Sequence, residues 1–168
     1  QQALEFAEAL EKRKLKFPWF VAQGMPLWPI TEEGLTALKE TGMYRLIAPF
    51  ESGSNRVLKS VVGKLASVEH NHSVIEWAQK LDMEIIGLFV IGLPGETRQD
   101  LLTTVEFAEI NTGIDYSVFS IATPLVGTRM TQKAIKDGMY QDQGYLQKVI
   151  KRTVGLLKTA EFSELDLG

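Results

Sequence analysis

Residues 84–97 read EIIGLFVIGLPGET, a run of branched and aromatic apolar residues that ends in a turn rich in glycine and proline. The lack of polar alternation over residues 85–91 is typical of a strand buried on both faces of a parallel sheet. Thr97 is a suitable helix N-cap, with Asp100 in the first turn. A strand, a tight turn and a capped helix in this order indicate an α/β fold, in which ligands bind outside the carboxyl ends of the strands.

Length and composition limit the classes of protein that fit. The 168 residues suffice for one domain with a sizeable core, and a formal net charge of −3 gives no reason to expect a nucleic-acid partner. No apolar run approaches the roughly 20 residues that span a bilayer, and the amino terminus does not resemble a secretory signal. We therefore expect a cytoplasmic protein with no membrane partner. The absence of cysteine excludes disulfides, cysteine nucleophiles and iron–sulfur ligation by this chain.

Helical and strand patterns alternate along the whole chain. The order predicts an α/β fold with a parallel sheet of about four strands and right-handed crossovers, the fragment of a TIM-type barrel, because four strands are too few to close one. Strands are predicted at residues 16–22, 43–50, 84–91 and 114–122. Helices are predicted at residues 1–14, 31–41, 55–60, from 67, 97–111, 129–136 and 143–160, with a frayed tail at 162–168.

Three predicted strands end in unusual turns, at residues 51–54, 92–97 and 123–128. In a right-handed parallel sheet these turns lie side by side and line one cleft. Glu51 is a carboxylate suited to the vicinal hydroxyls of a ribose, although supporting the next helix is an alternative role. Ser54 is better explained as a helix cap. Glu96 is better explained as a helix-start carboxylate than as a catalytic group.

The glycines of the second turn allow backbone to approach a flat ligand, although a plain turn is the alternative. The turn is not a P-loop, because no Gly-Lys-Ser/Thr follows it. His70 and His72 lie two residues apart on a predicted helix, so they point to different faces and do not predict a metal site. The three tryptophans are not interleaved with basic residues, which favours packing over base stacking.

Taken together, the motifs resemble those of the radical S-adenosylmethionine superfamily, in the branch that often carries a cobalamin-binding domain. The motifs are ESGS at 51–54 with VLK at 57–59, GLFVIGLPGET at 87–97, and TP…GT at 123–128, and the match covers about residues 17–130. The resemblance implies a single domain over residues 1–168 that supplies strands three to six of a partial (β/α)6 barrel. The cysteine loop CxxxCxxC of that family has no counterpart in this chain.

The resemblance also implies cofactors and cofactor-binding residues. The parent protein would use S-adenosylmethionine and a 4Fe-4S cluster, with cobalamin as a further candidate, and this chain would hold no cluster ligand and no catalytic residue. The implied cofactor-binding residues are Glu51 with Ser52 and Gly53 for the ribose or methionine, Ile91, Gly92, Leu93, Pro94 and Gly95 for the adenine, and Pro124 at the edge of the sixth strand.

The sequence therefore predicts a fragment of a radical S-adenosylmethionine enzyme that is inactive by itself and whose parent performs radical chemistry such as cobalamin-assisted methylation. One alternative is a non-catalytic α/β binding or scaffold domain derived from such an ancestor. Another is a metabolic α/β enzyme with a phosphate-bearing substrate, although no strand end carries the matching set of basic residue, histidine and carboxylate. We also expect a homo-oligomer through an exposed sheet edge at residues 17–22.

Overall fold

A computed structural model of the chain describes residues 2–125, 127–139 and 159–161. The elements in chain order are α1 (Gln2–Lys12), β1 (Trp19–Phe20), α2 (Glu32–Glu40), β2 (Met43–Glu51), a π-helix (Val57–Val62), α3 (Val68–Lys80), β3 (Glu84–Ile91), α4 (Arg98–Ile110), β4 (Tyr116–Ile121) and α5 (Arg129–Lys136). No helix among these residues is long and apolar enough to cross a membrane.

The four strands form one parallel sheet in the order β1-β2-β3-β4, so each strand pairs with its neighbour in sequence. Helices connect the strands, as parallel pairing requires. This arrangement confirms the predicted α/β class with four parallel strands. It also places the ends of β2, β3 and β4 next to one another at the same edge of the sheet.

The sheet has one packed face and one open face. Along β2, Leu46, Ala48 and Phe50 are fully buried, and Phe50 contacts the rings of Phe89 and Phe107 in an aromatic cluster beneath α4. The alternate β2 residues, at positions 45, 47, 49 and 51, are only half-buried. Because successive side chains of a strand point to opposite faces, these residues line the open face, with Glu51 at its carboxyl end.

Several element boundaries differ from the sequence-based prediction. The strand predicted over 16–22 pairs with β2 only at Trp19 and Phe20, and β4 begins at Tyr116, two residues later than expected. A π-helix replaces most of the helix predicted at 55–60. The predicted helix at 143–160 lies almost entirely outside the described residues, and the predicted tail at 162–168 lies outside them completely.

Candidate functional site

A cavity of about 580 Å³ opens at the carboxyl edge of the sheet, where the strand ends meet. Its volume lies within the range of about 300–1,000 Å³ that is common for small-molecule sites. Glu51, Val90, Leu93 and Pro94 come from the ends of β2 and β3. The other lining residues come from the π-helix and its end (Ser60, Val61, Val62, Gly63) and from the start of α5 (Thr128, Arg129, Met130, Lys133).

The carboxyl end of β2 turns sharply at Glu51. The pairing of β2 with β3 shifts register between Pro49 and Glu51, and Glu51 has a φ of 65°. A positive φ is unusual for a residue with a side chain, and such strain is commonly found at functional sites. The Glu51 carboxylate lines the cavity, and its Oε1 accepts a hydrogen bond of 2.5 Å from Lys64 Nζ.

The rest of the turn after β2 packs on helix α4. Ser52 is fully buried, and its hydroxyl lies 2.8 Å from Thr104 Oγ1, which also accepts a 3.2 Å hydrogen bond from Gly53 N. A Cβ at Gly53 would lie 2.6 Å from Phe107 Cβ, so only glycine allows this close approach. Neither Ser52 nor Gly53 lines the cavity, and packing between the turn and α4 accounts for both residue types.

A charged network joins the turns after β2 and β3. Asp100 accepts hydrogen bonds from Ser54 Oγ (2.7 Å), from the Arg56 guanidinium and from Thr97 N (3.0 Å). Arg56 also donates to Gly95 O at 2.9 Å. The hydrogen bond from Arg56, followed by those from Thr97 and Ser54, holds the pKa of the Asp100 carboxyl well below its ordinary value. The network therefore fixes the spacing of the two turns.

The buried side chain of Glu96 stabilises the turn after β3 by accepting hydrogen bonds from its backbone. The side chain is almost completely buried, and Glu96 Oε2 accepts hydrogen bonds from Gly92 N (2.6 Å) and Leu93 N (3.1 Å). Burial raises the pKa of this carboxyl, and its Oε1 has no hydrogen-bond partner among the described residues. The sequence assigned Glu96 to the helix start, but Thr97 and Asp100 form the capping box of α4, and Glu96 holds the turn instead.

The remaining predicted cofactor residues occupy different environments. Leu93 and Pro94 line the cavity. Gly92 and Pro124 are buried, Ile91 is half-buried within β3, and Gly95 is exposed; none of these four lines the cavity. The structure thus brings Glu51, Leu93 and Pro94 together around one space, and places the other six predicted residues in the surrounding framework.

Two walls of the cavity were not found from the sequence. One is the end of the π-helix, at residues 60–63, and the other is formed by Arg129, Met130 and Lys133 of α5. Thr128 belongs to the turn predicted at 123–128. A π-helix has no sequence pattern of its own, although such segments are frequent at functional sites. The helix at 129–136 was predicted, but its contribution to the cavity was not. Its cap is Thr128, and the Thr128 hydroxyl accepts a hydrogen bond from Thr131 N.

The two histidines have structural partners on separate elements. His70 Nε2 lies 2.9 Å from Leu27 O, and His72 Nδ1 lies 2.8 Å from Asn111 Oδ1. Within the ranges that the structure describes, no group of three histidine, cysteine, aspartate or glutamate side chains could hold a metal ion.

Comparisons with known proteins give two kinds of relative, while no family model matches the chain. A cytidylyl-2-hydroxyethylphosphonate methyltransferase of Streptomyces wedmorensis is 30% identical over 164 residues, which is 91% of this chain and 30% of that protein. A tRNA-2-methylthio-N(6)-dimethylallyladenosine synthase of Pseudomonas paraeruginosa is 29% identical, covering 71% of this chain and 30% of that protein. The chain thus spans about a third of the length of these curated relatives.

Among solved structures, the fold is similar to TsrM of Kitasatospora setae, a radical S-adenosylmethionine methyltransferase whose structure contains cobalamin and a 4Fe-4S cluster. The TM-score is 0.57 at 17% identity, and the match covers 69% of this chain and 23% of that one. At this identity the likeness concerns the fold alone.

Proposed function

Since the chain belongs to the radical S-adenosylmethionine superfamily, we propose that it supplies part of the S-adenosylmethionine site of a longer enzyme. The observation that carries the proposal is the cavity between Glu51 and the turn after β3. In this proposal the parent enzyme cleaves S-adenosylmethionine reductively for radical chemistry, and methyl transfer is the reaction class that the methyltransferase relatives favour.

The cavity offers both surfaces that an adenosyl group requires. Val90, Leu93 and Pro94 form an apolar wall on which a flat base can pack, and the carboxylate of Glu51 stands beside it. Lys64 Nζ donates a hydrogen bond to Oε1 of this carboxylate. Oε2 can then accept a hydrogen bond from a ribose hydroxyl or from the ammonium of the methionine part. Lys64 can in turn pair with the methionine carboxylate.

Glu96, Asp100 and Arg56 hold the walls of this site in fixed positions. Glu96 fixes the amides of Gly92 and Leu93, so the turn does not have to rearrange when the base packs on it. Asp100 and Arg56 hold this turn at a fixed distance from the end of β2. Such preorganisation favours binding because less conformational freedom is lost on association.

This chain lacks the residues that usually bind an iron–sulfur cluster. It contains no cysteine, which supplies the usual ligands of such clusters. The proposal therefore assigns the cluster to another part of the parent protein and predicts that these 168 residues alone do not cleave S-adenosylmethionine. Cobalamin enters the proposal from the motif resemblance and from the cobalamin-bound TsrM, and we assign none of these residues to it.

Binding of S-adenosylmethionine to the full-length protein tests the proposal. Glu51→Gln removes a charge-assisted hydrogen bond, which is typically worth about 1.5–3 kcal/mol, so we expect the dissociation constant to rise about tenfold or more. Isothermal titration calorimetry gives this value without any need for turnover.

Glu84→Gln is the matched control. Glu84 is also half-buried and also ion-paired, with Arg45 Nε at 2.5 Å, but it lies at the opposite end of the sheet. The control should bind S-adenosylmethionine as the unmodified protein does. Equal affinities of the Glu51→Gln variant and the unmodified protein would refute the assignment of the cavity.

A further inference from the structure

The first turns of α5 bring two basic side chains to the cavity, Arg129 and Lys133. Lys133 Nζ pairs with Asp137 Oδ2 at 2.5 Å. Arg129 is exposed and makes no hydrogen bond or ion pair with any residue in the described ranges. By contrast, Arg45 forms an ion pair with Glu84, and Arg56 forms one with Asp100. Arg129 is therefore a cation at the cavity whose charge no described neighbour balances.

The charges around the cavity leave an excess of positive charge. Glu51 is balanced by Lys64 and Lys133 by Asp137, so the charge of Arg129 remains. S-adenosylmethionine itself carries a net positive charge, since its sulfonium and ammonium outnumber its single carboxylate. A cation at the wall opposes the binding of such a ligand unless an anionic group also lies there.

We propose that Arg129 binds an anionic group of the substrate, a carboxylate or a phosphoryl group, and is therefore a specificity-determining residue. The proposal rests on the proposed function, because it assigns the second ligand of the same cavity. The amino-acid part of S-adenosylmethionine has complementary partners in Glu51, which lies on another wall, and in Lys64, which is paired with Glu51. This leaves Arg129 for the substrate. A guanidinium suits this role because its planar donors match both kinds of oxyanion in a bidentate way.

The test measures binding of two anionic probes, inorganic pyrophosphate and malonate, to the full-length protein in the presence of S-adenosylmethionine. Arg129→Gln should weaken binding of at least one probe about tenfold or more, since a charge-assisted bidentate contact is lost. The probe whose affinity falls identifies the group as phosphoryl or carboxylate. Arg129→Lys, which retains the charge but not the planar donors, should weaken it less.

Arg13→Gln is the matched control, because Arg13 is an exposed arginine that follows α1 and does not line the cavity. It should leave both probes unaffected. Unchanged affinity of the Arg129→Gln variant for both probes would overturn the inference. So would a loss of S-adenosylmethionine affinity with the probes unaffected, because Arg129 would then serve the methionine carboxylate. A failure of the proposed function is distinguishable, since the Glu51→Gln variant and the unmodified protein would then bind S-adenosylmethionine with equal affinity.

Discussion

At the scale of single residues, Asp100 connects the two turns that border the cavity. Its carboxylate accepts hydrogen bonds from Ser54, Arg56 and Thr97 and is almost completely buried. Removing one partner of such a network leaves donors without an acceptor, which costs more than the net gain of each bond. Asp100 therefore fixes the position of one turn relative to the other.

The stability that Asp100 contributes should depend on pH. Its pKa is lowered in the folded protein, chiefly by Arg56, so the contribution is fully present above the unfolded-state pKa of about 3.9 and declines as the pH falls below it. We expect Asp100→Asn to reduce the free energy of unfolding by about 2 kcal/mol at pH 7 and by less at pH 3. Urea unfolding at the two pH values measures the difference.

Asp137→Asn serves as the control for that series. It breaks a surface ion pair with Lys133, four residues away on α5, and should change the free energy of unfolding by less than about 0.5 kcal/mol. An Asp100→Asn penalty that stays the same at pH 3 would show that the ionised form is not what stabilises the fold.

Single residues were predicted from the sequence only where the local pattern decides their role. Glu51 was recognised because a carboxylate at the end of a strand is conspicuous, and the structure places it at the cavity. The contacts of Ser52 and Gly53 with Thr104 could not be predicted, because they join residues about 50 positions apart. The pairing of Lys64 with Glu51 likewise depends on the π-helix between them.

At the scale of elements, the contact between the turn after β2 and helix α4 is unusually close. Thr103 O and Phe107 Cβ would lie 2.7 and 2.6 Å from a Cβ at Gly53, and neither the backbone nor a Cβ can move aside easily. We expect Gly53→Ala to push the turn away from α4 and to lower the free energy of unfolding by about 1–3 kcal/mol, as overpacking typically does. Chemical denaturation measures the loss.

Gly63→Ala separates steric conflict from backbone strain. Gly63 ends the π-helix with a φ of 73°, and a Cβ there would meet nothing within 4 Å. Its replacement should cost about 1 kcal/mol through the left-handed backbone alone. If Gly53→Ala costs no more than Gly63→Ala, the close packing against α4 is not important for stability.

Most elements follow from the sequence because they have local signals. Thr31, Ser67 and Thr97 were expected to begin helices, and each accepts a hydrogen bond from the backbone three residues on. The short extent of β1 and the π-helical form of residues 57–62 were not predicted, since pairing with β2 and packing under the cavity decide them rather than a local pattern.

At the scale of the whole molecule, the four-strand sheet leaves apolar residues exposed along β1 and β4. Phe17 and Phe20 are exposed near β1, and Tyr116, Val118 and Phe119 are exposed on β4. The prediction of a homo-oligomer through the β1 edge stays a prediction. Apolar surface of this kind marks contacts either with another copy or with further parts of a longer protein.

In the proposed function, S-adenosylmethionine occupies the cavity at the carboxyl edge of the sheet. Hydrogen exchange of the full-length protein, with and without S-adenosylmethionine, tests it most directly, because backbone amides in the walls of an occupied cavity exchange more slowly. We predict slower exchange in the two segments that contain the lining residues 60–63 and 93–94, with no change in α1, which does not line the cavity. Unchanged exchange in both cavity segments at a saturating concentration of S-adenosylmethionine would contradict the claim.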